Sequence, residues 1–507
     1  MNLLKDEWIP VRPLPKGSPA KISLRSLLCG DEKWEVCLPR DDMELATIQL
    51  LVCITQTLFI PKTAAELKQR IAGPLYETEY DTAIIPYNDW FQLDHPKYPF
   101  MQVRGVTATE VTPMDKLLAG LNSATNSCFV NESGIGAILC SGCASISLFN
   151  QATCAPSFGG GFKASLRGSA PITTLIQGMH LRQTIWLNVL SEDHVLSQLP
   201  WFKETALQKP TWMDPVKSGD TIPSQRLGLV RGLFWQPAYV ELMPSEKASF
   251  CDCCGVLTRQ SYIGFKKAKF NYVVNGTWPH PHSPRVTSNK KGEIQEKFAA
   301  FTTASPSWTQ LSRFVVRQQM SDENAVGQQP AAVVLQARQF SSRLHLLIGG
   351  YRNNQASILE RRHEVFTLNH GWEGNTTAVH YLVQQGLGYR DALYKALYVF
   401  SKGIKDIKGA GIKLNQVAEM QFYRRSEPVV QDTLARIDFN DPAPALACMQ
   451  VSLKSLAKDL FDESIRPYLQ DPELIKTMAV ARRTLNKHLR NLEPQKDEGG
   501  NNGTPVA

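Results

Sequence analysis

The chain of 507 residues carries 55 Lys and Arg against 47 Asp and Glu, a formal charge of +8, and 43% of it is hydrophobic. That is apolar material for about two to four domains at ~150 residues each, and it excludes disordered, collagenous and coiled-coil chains. A charge excess this small excludes a polycation, so what matters is where the basic residues gather.

In chain order, the first residues place Lys5, Asp6, Glu7 and Trp8 where an export signal needs an unbroken apolar stretch. The chain is therefore expected in the reducing cytoplasm. The most apolar stretch, Leu45 to Ile60, is interrupted by Thr47, Gln49, Thr55, Gln56 and Thr57 and reads as a buried helix, not a membrane span. Up to about residue 360, short β-rich runs such as Tyr272 to Val274 and Ala331 to Leu335 alternate with Pro- and Gly-rich connections, the pattern of an irregular mixed α/β body. From about 364 the pattern turns helical: Ala378 to Ser401, a weaker stretch Leu414 to Arg424, and Ala443 to Phe461. A last helix has Asp471 and Pro472 at its start, Leu474, Met478, Ala481, Leu485, Leu489 and Leu492 at spacings of three or four, and Pro494 as its stop. The class is α+β: a large irregular body over 1–363, a C-terminal four-helix bundle over 364–494 and a disordered tail over 495–507.

Eleven cysteines in a reducing compartment ask for a reason other than disulfides. Cys140 and Cys143 form one C-x-x-C, and Cys251 and Cys254 a second, with Cys253 as a spare thiol inside it. Two residues between cysteines let both thiolates face one cation from a tight turn, with Gly142 and Gly255 supplying backbone freedom. Together the knuckles make a four-thiolate zinc set with no open position, hence structural, stapling segments over a hundred residues apart. The other reading is reduced core cysteines, the role expected of Cys29, Cys37, Cys53 and Cys448.

Between Arg259 and Lys291 lie seven basic residues (Arg259, Lys266, Lys267, Lys269, Arg285, Lys290, Lys291) and no acidic one, interleaved with Tyr262, Phe265, Phe270, Tyr272 and Trp278. Cations that neutralise phosphates beside rings that stack are the footprint of a nucleic-acid surface; a solvated edge over core aromatics is the alternative. Upstream, Ser157, Phe158, Gly159, Gly160 and Gly161 bring bare backbone close to a partner, with Lys163 and Arg167 nearby for charge, unless this is a plain flexible turn. Further on, Gly349-Gly350 and Asn353-Asn354-Gln355 read as a tight turn with amide side chains at an exposed tip, followed by Arg361, Arg362 and His363. Such amides can bond base edges, and a stiff tip can wedge into a stack.

Against an enzyme, the sequence holds no H-E-x-x-H, G-x-S-x-G, EF-hand or Walker A string, and Gly134-Ile135-Gly136 lacks the third glycine of a dinucleotide fingerprint. His280 and His282, among Pro279, Pro281 and Pro284, read as a rigid structural loop. A stand-alone zinc-containing nuclease and a general RNA-binding scaffold remain the other readings.

Taken together, Met1 to Leu4 with Trp8-Ile9-Pro10-Val11, Leu38 to Leu45, the glycine-rich loop, Trp278 to His282 and Tyr351 to Arg362 resemble the CasA family, the large subunit of the type I-E CRISPR Cascade complex, over Met1 to about Pro494. The resemblance implies a non-catalytic subunit that reads the protospacer-adjacent motif (PAM) in double-stranded target DNA from the minor groove, helps open the duplex and stabilises the R-loop. It implies that the loop Ser157 to Gly161 lies along the groove, that Lys269 matches a lysine finger, and that Gln355 with Asn354 matches a strand-separating wedge. Phe129, Val130 and Asn131 would contact the guide RNA and neighbouring subunits, and Lys290 and Lys291 would line the displaced-strand path. The partners implied are the backbone subunits, the small-subunit dimer, guide RNA and the helicase-nuclease effector, with no membrane; the four cysteines fit the family's zinc site. Some relatives have Gly where this chain has Ser157, which bears on motif preference.

Overall fold

Three short strands open the chain: β1 (Ile9–Pro13), β2 (Ala20–Ile22) and β3 (Trp34–Val36), antiparallel in the order β2-β1-β3. The computed structural model describes residues 1–121, 135–290, 292–320, 326–340, 343–409 and 411–493, excepting the Lys290 side chain. Phe129, Val130, Asn131, Lys291 and the tail 495–507 lie outside the described residues.

Helix α1 (Asp41–Leu58) carries Asp41, Asp42 and Glu44 in its first turn, where negative charge meets the helix dipole. It is buried on nearly every side, as its apolar content predicts. Its interrupting polar residues are buried too, and three of them bond main-chain carbonyls: Thr47 Oγ1 donates to the Met43 carbonyl, Thr57 Oγ1 to Cys53, and Gln56 Nε2 to Leu190.

Onward along the chain come β4 (Thr112–Pro113), β5 (Leu139–Cys140), helix α2 (Ser141–Thr153), β6 (Thr173–Ile176), β7 (Tyr239–Ser245), β8 (Ser261–Ala268), β9 (Arg285–Lys290), β10 (Glu293–Phe298), β11 (Val326–Gln329), β12 (Leu344–Asn354) and β13 (Ser357–Leu368). Strand β8 is the hub, antiparallel to β4, β5 and β7. Two further sheets run β10-β9-β11 and β13-β12-β6.

Two local expectations are overturned. Ala331 to Leu335 is not β: Ala332–Ala337 is a buried helix after Pro330, because a short apolar run suits either conformation and burial decides. Gly349-Gly350 is not the turn but lies inside β12, where added side chains would collide, at Gly349 with Leu45 Cδ2 at 2.4 Å and at Gly350 with the Pro171 carbonyl at 2.9 Å. Close approach, not a turn, requires these glycines.

The chain divides into two compact units, Met1–Ala304 with Arg313–Thr367, and Ser305–Ser312 with the chain from Leu368 on. The second unit holds helices α3 (Thr376–Lys408), α4 (Leu414–Arg436), α5 (Ala443–Ile465) and α6 (Ile475–Arg490), with α3 packed against the other three. Asn375 caps α3 through Ala378 N–H, and Gly409, at φ +71°, ends it. Leu474, Met478, Ala481, Leu485 and Leu489 are buried, the spacing read in the sequence. Helix α4 runs past Arg424 because Pro428 is tolerated within it while Ser426, Val430 and Leu434 stay buried. Into this bundle the excursion Ser305–Ser312 inserts Trp308, which is 0% exposed. A side chain on Gly386 would sit 2.8 Å from that indole.

Candidate nucleic-acid interface and metal centre

Pairing of β5 with β8 sets Cys140 opposite Ser261 and draws the two cysteine knuckles together. Asp252 clips them further: its N–H donates to the Ile138 carbonyl (2.9 Å) and its carboxylate accepts from Ile138 N–H (2.8 Å). The sulfurs of Cys140, Cys143, Cys251 and Cys254 all lie within 4.8 Å of one another, with Cys140 and Cys254 at 3.7 Å. A tetrahedron with metal–sulfur bonds of 2.3 Å has edges of about 3.8 Å, so the cluster has the geometry of a metal centre. Cys143 N–H points at Cys140 Sγ (3.5 Å), as expected at a knuckle. Gly255 takes φ +71° after the second knuckle, whereas Gly142 serves by proximity, its missing Cβ leaving room for the Trp8 carbonyl.

Lys21 of β2 places Nζ 3.0 Å from Cys140 Sγ. Hydrogen bonds from the neighbouring thiols, Cys143 first, push the Cys140 pKa down, which favours a thiolate there. Burial alone depresses Lys21, yet the adjacent Cys140 more than reverses it and Lys21 is held as a cation. Cys253 is buried but outside the cluster, and Cys448, expected in the core, is exposed because its α5 position faces outward.

The glycine loop leaves α2 at Thr153. Gly159, Gly160 and Gly161 have φ of +75°, +55° and +85°, a left-handed run that side-chain-bearing residues avoid. Ser157 precedes that run, so its side chain costs no strain, and its Oγ accepts from Gly159 N–H (3.4 Å). Across the glycines Phe162 N–H donates to the Gly159 carbonyl (3.0 Å). Lys269, just past β8, is exposed and directs Nζ to the Gly160 carbonyl at 3.4 Å. At the tip between β12 and β13, Asn354 and Gln355 are exposed, Gln355 at φ +54°. Asn353 reaches the Gln355 carbonyl and Ser169 Oγ, tying the tip to the loop's far end. Ala356 lies so close that a Cβ on Gly159 would be 3.3 Å from it. Three segments distant in sequence thus share one edge: Ser157 to Gly161, Lys269, and Asn354 with Gln355.

Other expected members do not join that edge. Arg167 is only 3% exposed, its guanidinium donating to the Thr153 carbonyl (2.7 Å), Ser283 Oγ (2.8 Å) and Thr173 Oγ1 (3.0 Å), so it anchors the loop instead of offering charge. Tyr262, Phe265, Phe270, Tyr272 and Trp278 are all buried, which removes them as a stacking platform and favours the core reading. His280 and His282 are buried loop residues, and burial, then Arg167, holds both imidazoles neutral. Sequence reasoning missed Ala356 and Lys21; it counted Asn353 only as one amide of the tip and Lys267 only as one charge among several, although alternation along β8 places Phe265 and Lys267 on one face.

A family model described as CRISPR-associated protein Cse1 matches residues 2–460. Among solved structures, Thermobifida fusca Cse1 is similar at 15% identity, covering 97% of this chain and 98% of that one, with a TM-score of 0.75. Thermus thermophilus CasA (Cse1) is similar at 17% identity over 96% and 99%, TM-score 0.69. A chain of a CRISPR RNA-guided surveillance complex is similar at 16% identity over 96% and 99%, TM-score 0.66. These likenesses speak for a shared fold, and the family match spans most of the sequence: the chain belongs to the CRISPR-associated protein Cse1 family.

Proposed function

We propose that this chain is the large, non-catalytic subunit of a CRISPR RNA-guided surveillance complex, that it reads a PAM in double-stranded DNA, and that it helps open the duplex. The observation that carries the reading is the shared edge: a left-handed glycine run, the exposed cation of Lys269 and the amide tip of Asn354 and Gln355. Bare backbone enters a minor groove closely, Lys269 supplies a donor there, and the stiff tip supplies a wedge. Base pairing with the guide reads the long target, so the protein has only to read a short tag and offset the cost of local melting. Minor-groove reading is degenerate, so several related tags are accepted. Lys290 and Lys291 fit the displaced-strand path, and Phe129, Val130 and Asn131 the guide RNA contact. The helical unit contacts the small-subunit dimer and the R-loop and supports recruitment of the helicase-nuclease; the four cysteines hold Zn²⁺ structurally.

The test is binding of the guide-loaded complex, with and without this chain, to matched targets differing only in the flanking tag. Tag-dependent binding is expected only with the chain present, weakened by Lys269→Ala. Gln355→Ala should impair strand opening, read by permanganate, more than initial binding. Equal binding in every case would leave a scaffold and remove the DNA-contact roles.

A further inference from the structure

The side of β8 that underlies the glycine loop carries Phe265, Lys267 and, just past the strand end, Lys269, residues two apart. Phe158, before the glycines, packs on Phe265 with ring centroids 5.7 Å apart. Phe162, after them, meets Phe158 edge to face at 5.5 Å and 76°. Lys267 Nζ sits over both rings, 4.7 Å from the centroid of Phe158 and 5.5 Å from that of Phe162. Lys267 is half-buried and takes part in no ion pair among the described residues; its surroundings hold a second cation, Lys116, and a carboxylate, Glu110, neither paired with it. A crevice of about 100 Å³ beside it is lined by Lys116, Ser157, Phe158, Ala356 and Ile358, so Lys267 stands where the loop meets the hairpin tip.

We propose that Lys267 is a positioning residue: its ammonium spans the faces of Phe158 and Phe162 and so fixes the three left-handed glycines between them in one shape. This deepens the PAM-reading proposal and rests on it for the consequence in DNA binding. Glycines are the most permissive residues in a chain, and a loop of three needs its ends held if it is to present one backbone shape to a groove. The two rings are those ends. Attraction between a cation and an aromatic face grows with desolvation, which the half-buried site supplies. The charge of Lys267 thus holds the loop's two ring ends, while that of Lys269, two residues on, is exposed beside the Gly160 carbonyl.

The first measurement needs no DNA. Hydrogen exchange of the peptide spanning 156–168 is followed in the purified full chain for wild type, Lys267→Met, Lys267→Arg, Phe162→Leu and the double variant Lys267→Met/Phe162→Leu. Lys267→Met is expected to speed exchange there about tenfold, the equivalent of ~1.4 kcal/mol. Lys267→Arg should stay near wild type, since a guanidinium also lies on rings. The double variant should be no faster than the worse single one. Exchange outside the segment reports whether each variant is folded, and Phe162→Leu tests the clamp without touching the lysine. Unchanged exchange in both single variants, or fully additive effects, overturns the clamp.

The second measurement is tag-dependent DNA binding by the guide-loaded complex over a salt series. A positioning lysine predicts that Lys267→Met lowers tag discrimination with the salt slope unchanged. A slope smaller by about one marks a lost phosphate contact and overturns the proposal. A wild-type complex without tag dependence would defeat the PAM reading alone, leaving the exchange result to decide the clamp.

Discussion

Lys21 shows how one side chain changes what a cluster of thiols can do. Four thiolates around a divalent cation leave two net negative charges in a buried place, which a nearby cation must offset. Lys21 is that cation, 3.0 Å from Cys140 Sγ. Partners of this kind are typically worth ten- to a hundredfold in metal affinity. Lys21→Met should therefore weaken zinc binding at least tenfold in competition with a chelator, at unchanged stoichiometry; an unaltered affinity would show that the contact is incidental. At this scale the sequence was partly legible. Spacing announced the two knuckles whose four thiols the fold gathers, but Lys21 sits 119 residues from Cys140 and no local pattern connects them. Arg167 misled for the complementary reason: beside glycines it looks like an available charge, and only the fold turns it inward.

Among elements, the proline-rich loop with His280 and His282 is locked between α1 and the glycine loop. Gln49 Nε2 of α1 lies 3.2 Å from His282 Nδ1, and Arg167 shares Ser283 with the same loop. Burial, then Arg167, pushes His282 down to about 3 and His280 well below the ordinary imidazole range. In the unfolded chain both take a proton near pH 6.5. Stability is therefore complete above about pH 6.5 and falls as the pH drops from there toward 3, by up to about 1.4 kcal/mol per pH unit for each histidine. The urea midpoint should be clearly lower at pH 5 than at pH 7.5, and His282→Asn should flatten that slope; a midpoint independent of pH over this window would contradict neutral burial. Elements with a long period, α1 and α6, were legible because their apolar spacing is local. The amide tip at Asn354 and Gln355 was legible, but Gly349 and Gly350 were counted into the turn because they mimic one, whereas their need is space against Leu45 and Pro171.

For the whole molecule, the bundle is more than its four helices. Trp308 enters the same unit from the middle of the chain and fills the space above Gly386. Truncating so large a buried ring typically costs about 3–5 kcal/mol. Trp308→Ala should therefore lower the stability of the helical unit markedly in urea unfolding; a loss below ~1 kcal/mol would mean that the space recloses without it. Periodicity foretold the helices but not this plug, since a lone Trp in an irregular stretch carries no signal of its destination. The excursion also governs how the protein can be cut. The backbone passes between units after Ala304, after Ser312 and after Thr367, so a break between Thr367 and Leu368 leaves residues 305–312 still seated in the bundle. A gene split there encodes two polypeptides, one of which carries the plug of the other, and such halves have a built-in means of finding each other again.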